Sequence, residues 1–404
     1  MKILRKPFFS IASILWSGVF FFCGLAVFGI VKAETLDEML VKVYEGSPAL
    51  AASRVIVQGV NENVSQALSG WRPLVELEGD TGISESTSTT ISSGLQTTSS
   101  SSLRPRSYSL SLIEPIYRGG KTTAETKAAK NLLRASQSDF VVREQELLLE
   151  AVKAYMDVLH AEFVADLNVH NEKVVRKHYE AAQDRFNVGE VTRTDVAQAE
   201  ARLADAHANR IEAEGKLVST FATYRKVTGN FPQNLSWPPL PLEIPSDERK
   251  ALNIAINKHP AIMSAAFYES AARDNIDVAI SDLLPQVSVR GGYDKNYDIS
   301  GVIDETEAFS LSAVVKIPIY QTGVKHSLVR QRKMNLSQTR LEYEEVRRVI
   351  LEEVTRAWEA LVTARAKIAA FQTQVKASNL ALEGVNQEAM VGLRTTLDVL
   401  DAEQ

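Results

Sequence analysis

Cysteine is all but missing from this 404-residue chain: Cys23 is the only one. It follows Phe22 inside an N-terminal apolar stretch, whereas a lipid-attachment site needs a small residue before its cysteine. Loss of that stretch leaves no thiol, which excludes disulfides, thiolate metal centres and a cysteine nucleophile together. Histidine is sparse as well, at six, with no His-Glu-x-x-His spacing. His170 and His178, two turns apart beside Glu172 and Glu180, read as a charged solvated helix face, so no metal is expected. Gly-x-Ser-x-Gly is absent, and Gly120-Lys121-Thr122 imitates the end of a phosphate loop but has Pro115 where that loop needs glycine. The chain therefore reads as no enzyme, with no cofactor.

A cationic excess is lacking too. The formal charge is -5 and becomes -9 from Glu34 onward, because the first 33 residues carry four cations and no acid. So acidic a surface excludes nucleic acid as a natural partner. Beyond residue 33 no apolar run reaches about 18 residues, which excludes a spanning helix there. Two possibilities remain: a soluble periplasmic protein, or an outer-membrane protein that crosses as a closed sheet.

Residues 1–33 have the makings of a secretory leader: Lys2, Arg5 and Lys6, an apolar run from Phe8 to Val31, and Val31-Lys32-Ala33 as a small-residue cleavage site. The run is also long enough to remain as an uncleaved anchor helix.

The rest is a duplication. Phe186-Asn187-Val188-Gly189-Glu190-Val191-Thr192-Arg193-Thr194-Asp195-Val196 returns as Met390-Val391-Gly392-Leu393-Arg394-Thr395-Thr396-Leu397-Asp398-Val399. Val188-Gly189, Asp195-Val196, Gly120 and Pro115-Ile116-Tyr117 all recur 203 positions later, whereas Pro48 and Pro73 recur 212 later. The first copy thus carries nine more residues between Pro73 and Pro115. The spacing divides the chain into a leader (1–33), a first repeat (34–228), a proline-rich linker (229–250) and a second repeat (251–404).

Within each repeat the period of the pattern changes. Leu50, Val57, Val60, Val64 and Leu68 fall at helical spacing and stop before Gly70 and Pro73. From Leu74 to Ile83 the period becomes two, with Val75 and Leu77 opposite Glu76, Glu78 and Asp80. Tyr108, Leu110 and Leu112 alternate with Ser107, Ser109 and Ser111. In the second copy Val287 and Val289 alternate with Gln286, Ser288 and Arg290, and Leu311 and Val315 with Ser310, Ser312 and Lys316. Residues 84–102, nearly all Ser, Thr, Gly and Gln, are expected to form a solvated loop holding the nine extra residues. Four such strands cannot close a barrel alone, so a membrane role requires several copies; soluble hairpins on a helical core are the alternative.

Proline and glycine are absent from Lys121 to Val188 and from Val324 to Leu382, with only Gly384 before Gly392. A helix of that length reaches about 100 Å and needs a partner along it. The alanine-rich segment from Thr194 to Thr228 suits that role, with Gly189 at the turn and Asp195 in the first helical turn.

Taken together, the duplication, the Asn187-Val188-Gly189 turn, and the Gly392-x-Arg394-Thr395-x-x-Asp398-Val399-Leu400-Asp401 string resemble the TolC family of outer-membrane channel proteins. That resemblance implies a mainly α fold with a small membrane β-part: tandem-duplicated long coiled helices and two β-hairpins that trimerise into a 12-stranded barrel and an α-helical tunnel. It implies a homotrimer in outer-membrane lipid, with a large periplasmic part. Such a channel docks to an inner-membrane transporter, ABC or proton-driven, through a periplasmic adaptor, as the exit duct for proteins or small toxic compounds. By match, Asp195 and Arg394 are gate partners at the tunnel entrance, and Asp398 and Asp401 form an acidic ring at the constriction. The alternative for Asp195 is a helix-capping acid, and for Asp398 and Asp401 a solvated face. Ala389 departs from the family where a gate tyrosine is expected.

On the strands, Val75, Leu77, Leu110, Leu112, Val287, Val289, Leu311 and Val315 are expected to face lipid, with their polar neighbours toward the lumen. The first repeat's second helix runs to Thr228, so its counterpart is expected near residue 431, and the second repeat reads as truncated at Gln404. The rival to the channel is a periplasmic helical adaptor or structural protein anchored in the inner membrane, which the duplicated strand pairs disfavour.

Overall fold

The computed structural model describes residues 33–240, 243–300 and 303–404; the leader assigned to 1–33 lies almost wholly outside them. In the first copy α1 (Leu36–Gly46) and α2 (Pro48–Ser69) precede the strands β1 (Leu74–Thr81), β2 (Ser84–Ser92), β3 (Leu95–Leu103) and β4 (Arg106–Arg118). Then come α3 (Lys121–Asn187) and α4 (Arg193–Thr228). The second copy contributes α5 (Glu248–Lys258), α6 (Pro260–Ser281), β5 (Gln286–Ser300), β6 (Ile303–Lys316), α7 (Val324–Met390) and α8 (Thr396–Glu403). Helices α3 and α7 each run 67 residues, about 100 Å at 1.5 Å per residue.

Why α3 and α4 lie along one another is visible in their buried positions. On α4 these are Ala199, Ala206, Ala213 and Thr220, seven residues apart. On α3 one seam runs through Ala151, Val158, Ala165 and Glu172, and another through Ala154 and Ala161. A seven-residue period with small side chains lets two helices supercoil at close approach. Glu172 is the charged member of this apolar seam. Arg176 of α3 donates to it at 2.5 Å, and from α4 Arg210 donates to it while His207 Nδ1 lies at 3.2 Å. Burial alone would raise its carboxyl, but Arg210, Arg176 and His207 outweigh that and hold it below the usual range. Because Arg210 and His207 reach it from α4, this charge favours the observed register of the pair.

The apolar core is concentrated where α1, α3, α4 and the linker meet. Met39, Val43, Val158, Tyr155 and Tyr224 are fully buried there. The Tyr155 hydroxyl donates toward the carbonyls of Glu34 (2.8 Å) and Ser236 (2.6 Å) and accepts from Ser236 N–H (3.1 Å). One side chain thus ties the chain's first described residues to the linker, which also pair through a parallel bridge between Glu34 and Leu235.

The strand-to-helix corner of the first copy depends on Gly119. Its φ is +62°, and a Cβ there would lie 2.6 Å from the Ser281 carbonyl oxygen and 2.8 Å from Leu284 Cβ. Beside it, Asp282 accepts from Lys121 (3.1 Å) and Lys325 (2.8 Å), binding the starts of α3 and α7 to the end of α6.

The reading of 84–102 as a loop is corrected. Strands β2 and β3 form a separate two-stranded ribbon in regular antiparallel register. Threonine favours extended backbone; Thr89 and Thr98 lie directly opposite, 3.3 Å apart through their hydroxyls. Ser93 and Gly94, at φ +53° and +81°, supply the two positive-φ positions of a tight hairpin turn. The composition marked the segment as solvated, which it is, but not as ordered. Helices α1 and α5, 11 residues each, were not anticipated.

The two copies differ at one helix start. Helix α2 is capped by the Ser47 hydroxyl, and α6, 212 positions later, by His259, whose Nδ1 accepts from Ala261 N–H at 3.2 Å. Burial depresses the His259 pKa below its ordinary value, and Glu353 opposes the shift only in part. A depressed histidine stabilises the fold above its unfolded pKa of about 6.5 and loses that contribution as pH falls. Protonation also removes the capping acceptor. The protection of first-turn amides of α6 against hydrogen exchange, measured relative to their intrinsic rates, is therefore expected to fall as pH drops below the ordinary histidine range, and His259→Ser, which restores the first copy's cap, to remove that fall.

Candidate functional site

Strands β1, β4, β5 and β6 make one antiparallel sheet in that order. Leu77 pairs Leu110, which pairs Tyr293, which pairs Phe309; the adjacent row is Val75, Leu112, Gly291 and Leu311. Below them Val287 pairs Val315 and Tyr117, while Val289 lies between Glu114 and Ala313. Since pleating alternates side chains, the eight residues expected to face lipid, Val75, Leu77, Leu110, Leu112, Val287, Val289, Leu311 and Val315, share one face. The other face carries the rows Glu76, Ser111, Gly292, Ser310 and Asp80, Ser107, Asn296, Thr306. One side is oily and the other polar.

Two features bound the oily side. Tyr108, Tyr293 and Tyr297 lie toward one end, whereas Trp71, Tyr117 and Tyr320 stand exposed at the other. From Val287 to Lys295 the strand advances about 26 Å, which a tilt of some 40° reduces to about 20 Å, comparable to the apolar band of membrane barrels. A β-bulge between Pro115 and Tyr117 shifts the register where proline has no N–H to give.

The sheet's outer strands, β1 and β6, have no neighbour on their far side among the described residues. In water such edges are tolerable; in lipid each unpaired backbone group costs several kcal/mol.

At the far ends of the long helices the two repeats build the same turn. Gly189 and Gly392 take φ of +84° and +78°. Thr192 and Asp195 then cap α4 reciprocally, as Thr395 and Asp398 cap α8. Asp195 Oδ2 accepts from Thr192 N–H and hydroxyl, both at 2.8 Å; Asp398 Oδ2 accepts from Thr395 at 2.8 and 2.9 Å. These bonds from the threonine backbone and hydroxyl hold both carboxyls below the ordinary aspartate range, so both are charged at neutral pH.

Of the residues expected at the gate, the single chain brings none into mutual contact. Arg394 donates to Glu388 of α7 at 2.7 Å, not to Asp195. Asp401 accepts from Arg202 of α4 at 2.7 Å, and His178 Nε2 of α3 lies 2.9 Å from Glu403. With Val399 and Leu400 buried, α8 is seated on α3 and α4. Sequence reasoning missed Arg202 because nothing local distinguishes it among the charged residues of α4. Glu172 did carry a signal, falling in heptad phase with Ala151, Val158 and Ala165.

Comparison with known proteins adds the following. A family model described as outer membrane efflux protein matches residues 39–230 and 251–404. The outer membrane efflux protein BepC of Brucella suis is 33% identical over 372 residues, covering 92% of this chain and 79% of that protein. The outer membrane protein TolC of Vibrio cholerae is 28% identical, covering 92% and 84%. Among solved structures, the outer membrane protein VceC of Vibrio cholerae superposes with a TM-score of 0.77 at 18% identity, over 91% of this chain and 89% of that one.

Proposed function

This chain belongs to the outer membrane efflux protein family, and from that premise we propose that three copies form a channel-tunnel. The duct passes proteins or small toxic compounds outward from an inner-membrane transporter, ABC or proton-driven, reached through a periplasmic adaptor. The protein works in the outer membrane, and the observation that carries the trimeric reading is the two-faced sheet with two free edges. Edge β1 of one copy pairs with edge β6 of the next, so three sheets of four strands close a 12-stranded barrel with its oily face to lipid. Closure removes every unpaired edge. Helices about 100 Å long then extend the wall into the periplasm.

At the entrance, the proposal keeps Asp195 and Arg394 as gate partners between copies. Within one chain Arg394 rests on Glu388, about half-exposed, so a neighbour's Asp195 competes for a guanidinium already paired. With Ala389 contributing no tyrosine, this contact biases the entrance toward closure without locking it. In planar bilayers Arg394→Ser is expected to raise the mean conductance by populating the open entrance; unchanged conductance would remove Arg394 from the gate.

A periplasmic adaptor or structural protein anchored in the inner membrane would carry one long hairpin, whereas this chain carries a duplicated helix and strand set. Fractionation separates the two: recovery in the outer membrane supports the channel, and recovery only in the inner membrane with the leader intact sinks it.

A further inference from the structure

The acidic ring assigned to the entrance, Asp398 with Asp401, consists of two unlike residues. The Asp398 carboxylate accepts hydrogen bonds from neutral donors of Thr395 and feels Arg394 only through its field, since that guanidinium is ion-paired to Glu388. Asp401 instead accepts from Arg202 Nη2 at 2.7 Å, and Arg202 Nη1 also reaches Gln404 Oε1 at 3.3 Å. Arg202 projects from α4, in the first repeat, into the cleft that α8 makes with α3 and α4. Asp205 and Glu403 line the same cleft, and Arg202 is the one cation among its lining residues. The seat is fixed on the α8 side by buried Val399 and Leu400 and by the His178 to Glu403 contact. Asp401 is therefore held where Arg202 can meet it.

We propose that Arg202 is a specificity-determining residue of the entrance, cancelling the charge of Asp401 so that Asp398 alone sets the ion preference. This rests on the channel reading above. A charge paired at 2.7 Å acts on passing ions as a short dipole, whose field decays within a few ångströms, whereas a lone carboxylate is felt over a Debye length of about 8–10 Å. Side-chain exposures of 39% for Arg202 and 53% for Asp401 make the pair weak as a stabiliser. Its consequence is charge cancellation at the constriction. Three copies then present three Asp398 carboxylates outside any direct ion pair, and loss of Arg202 adds three from Asp401.

The test is the reversal potential of the full chain in planar bilayers under a KCl gradient. Arg202→Gln keeps the bulk and a donor but removes the charge, and is expected to raise the cation-to-anion permeability ratio about twofold. Arg202→Lys should match the wild type. Asp401→Asn leaves Arg202 unpaired and should lower the ratio, while Arg202→Gln with Asp401→Asn should return it close to the wild-type value. The inference is overturned if Arg202→Gln leaves the ratio unchanged, or if the double variant behaves like Asp401→Asn alone. Asp401→Asn and the double variant report even where Arg202→Gln assembles poorly. A wild-type chain that forms no conducting channel would instead overturn the channel reading itself, and this inference with it.

Discussion

Leu311→Arg is expected to prevent stable insertion of the sheet, at a cost of about 2–4 kcal/mol per copy, the range for arginine on the lipid face at the bilayer midplane. Leu311 lies in the central apolar row with Val75, Leu112 and Gly291, between the aromatic ends of the band. Its side chain is 70% exposed in the single chain, so nothing within the protomer explains an apolar residue there. Ser310→Arg, one residue away on the polar face beside Gly292, is expected to cost about 1 kcal/mol or less, because a lumen-facing cation keeps its water. Urea-dependent folding into lipid vesicles measures both; equal costs would remove the distinction between the faces.

Tyr155→Ala should be the most destabilising change in the periplasmic part. Truncating a fully buried aromatic costs about 3–5 kcal/mol, and here it also frees the Glu34 and Ser236 backbone groups that share the hydroxyl. Tyr155→Phe isolates the second effect: the ring's packing survives, but the hydroxyl's partners lose it, at about 1–3 kcal/mol. Both variants should release the linker, so limited proteolysis between residues 229 and 247 is the readout. Cleavage no faster than in the wild type would show that Tyr155 does not hold the linker.

How much of this was legible beforehand depended on the range of the interaction responsible. The long helices were readable because their signal is a local absence: without proline or glycine from Lys121 to Val188, nothing interrupts the helix, and it ends at Asn187 beside Gly189. Period-two alternation likewise assigned Val75, Leu112, Val289 and Leu311 to a common face, because pleating is a property of the strand itself. The ribbon was not readable, since threonine-rich polar sequence is compatible with coil until a partner strand fixes it. At the helix turns, Asp195 was correctly placed in a first helical turn, but Asp398 was not, and composition could not say that their oxygens serve Thr192 and Thr395. Nor could it show that Asp401 meets Arg202, 199 residues earlier in the chain. Contacts of that separation depend on how α8 seats against α4, which only the assembled helices determine.

The central claim is that this sheet is one third of a closed wall. Light scattering of the detergent-purified protein, corrected for bound detergent, measures it most directly. The account predicts a single species of three chains, stable on dilution, because each copy's β1 edge is satisfied only by the next copy's β6. A monodisperse monomer that retains its strands in detergent would mean the edges need no partner, and the trimeric barrel would be contradicted.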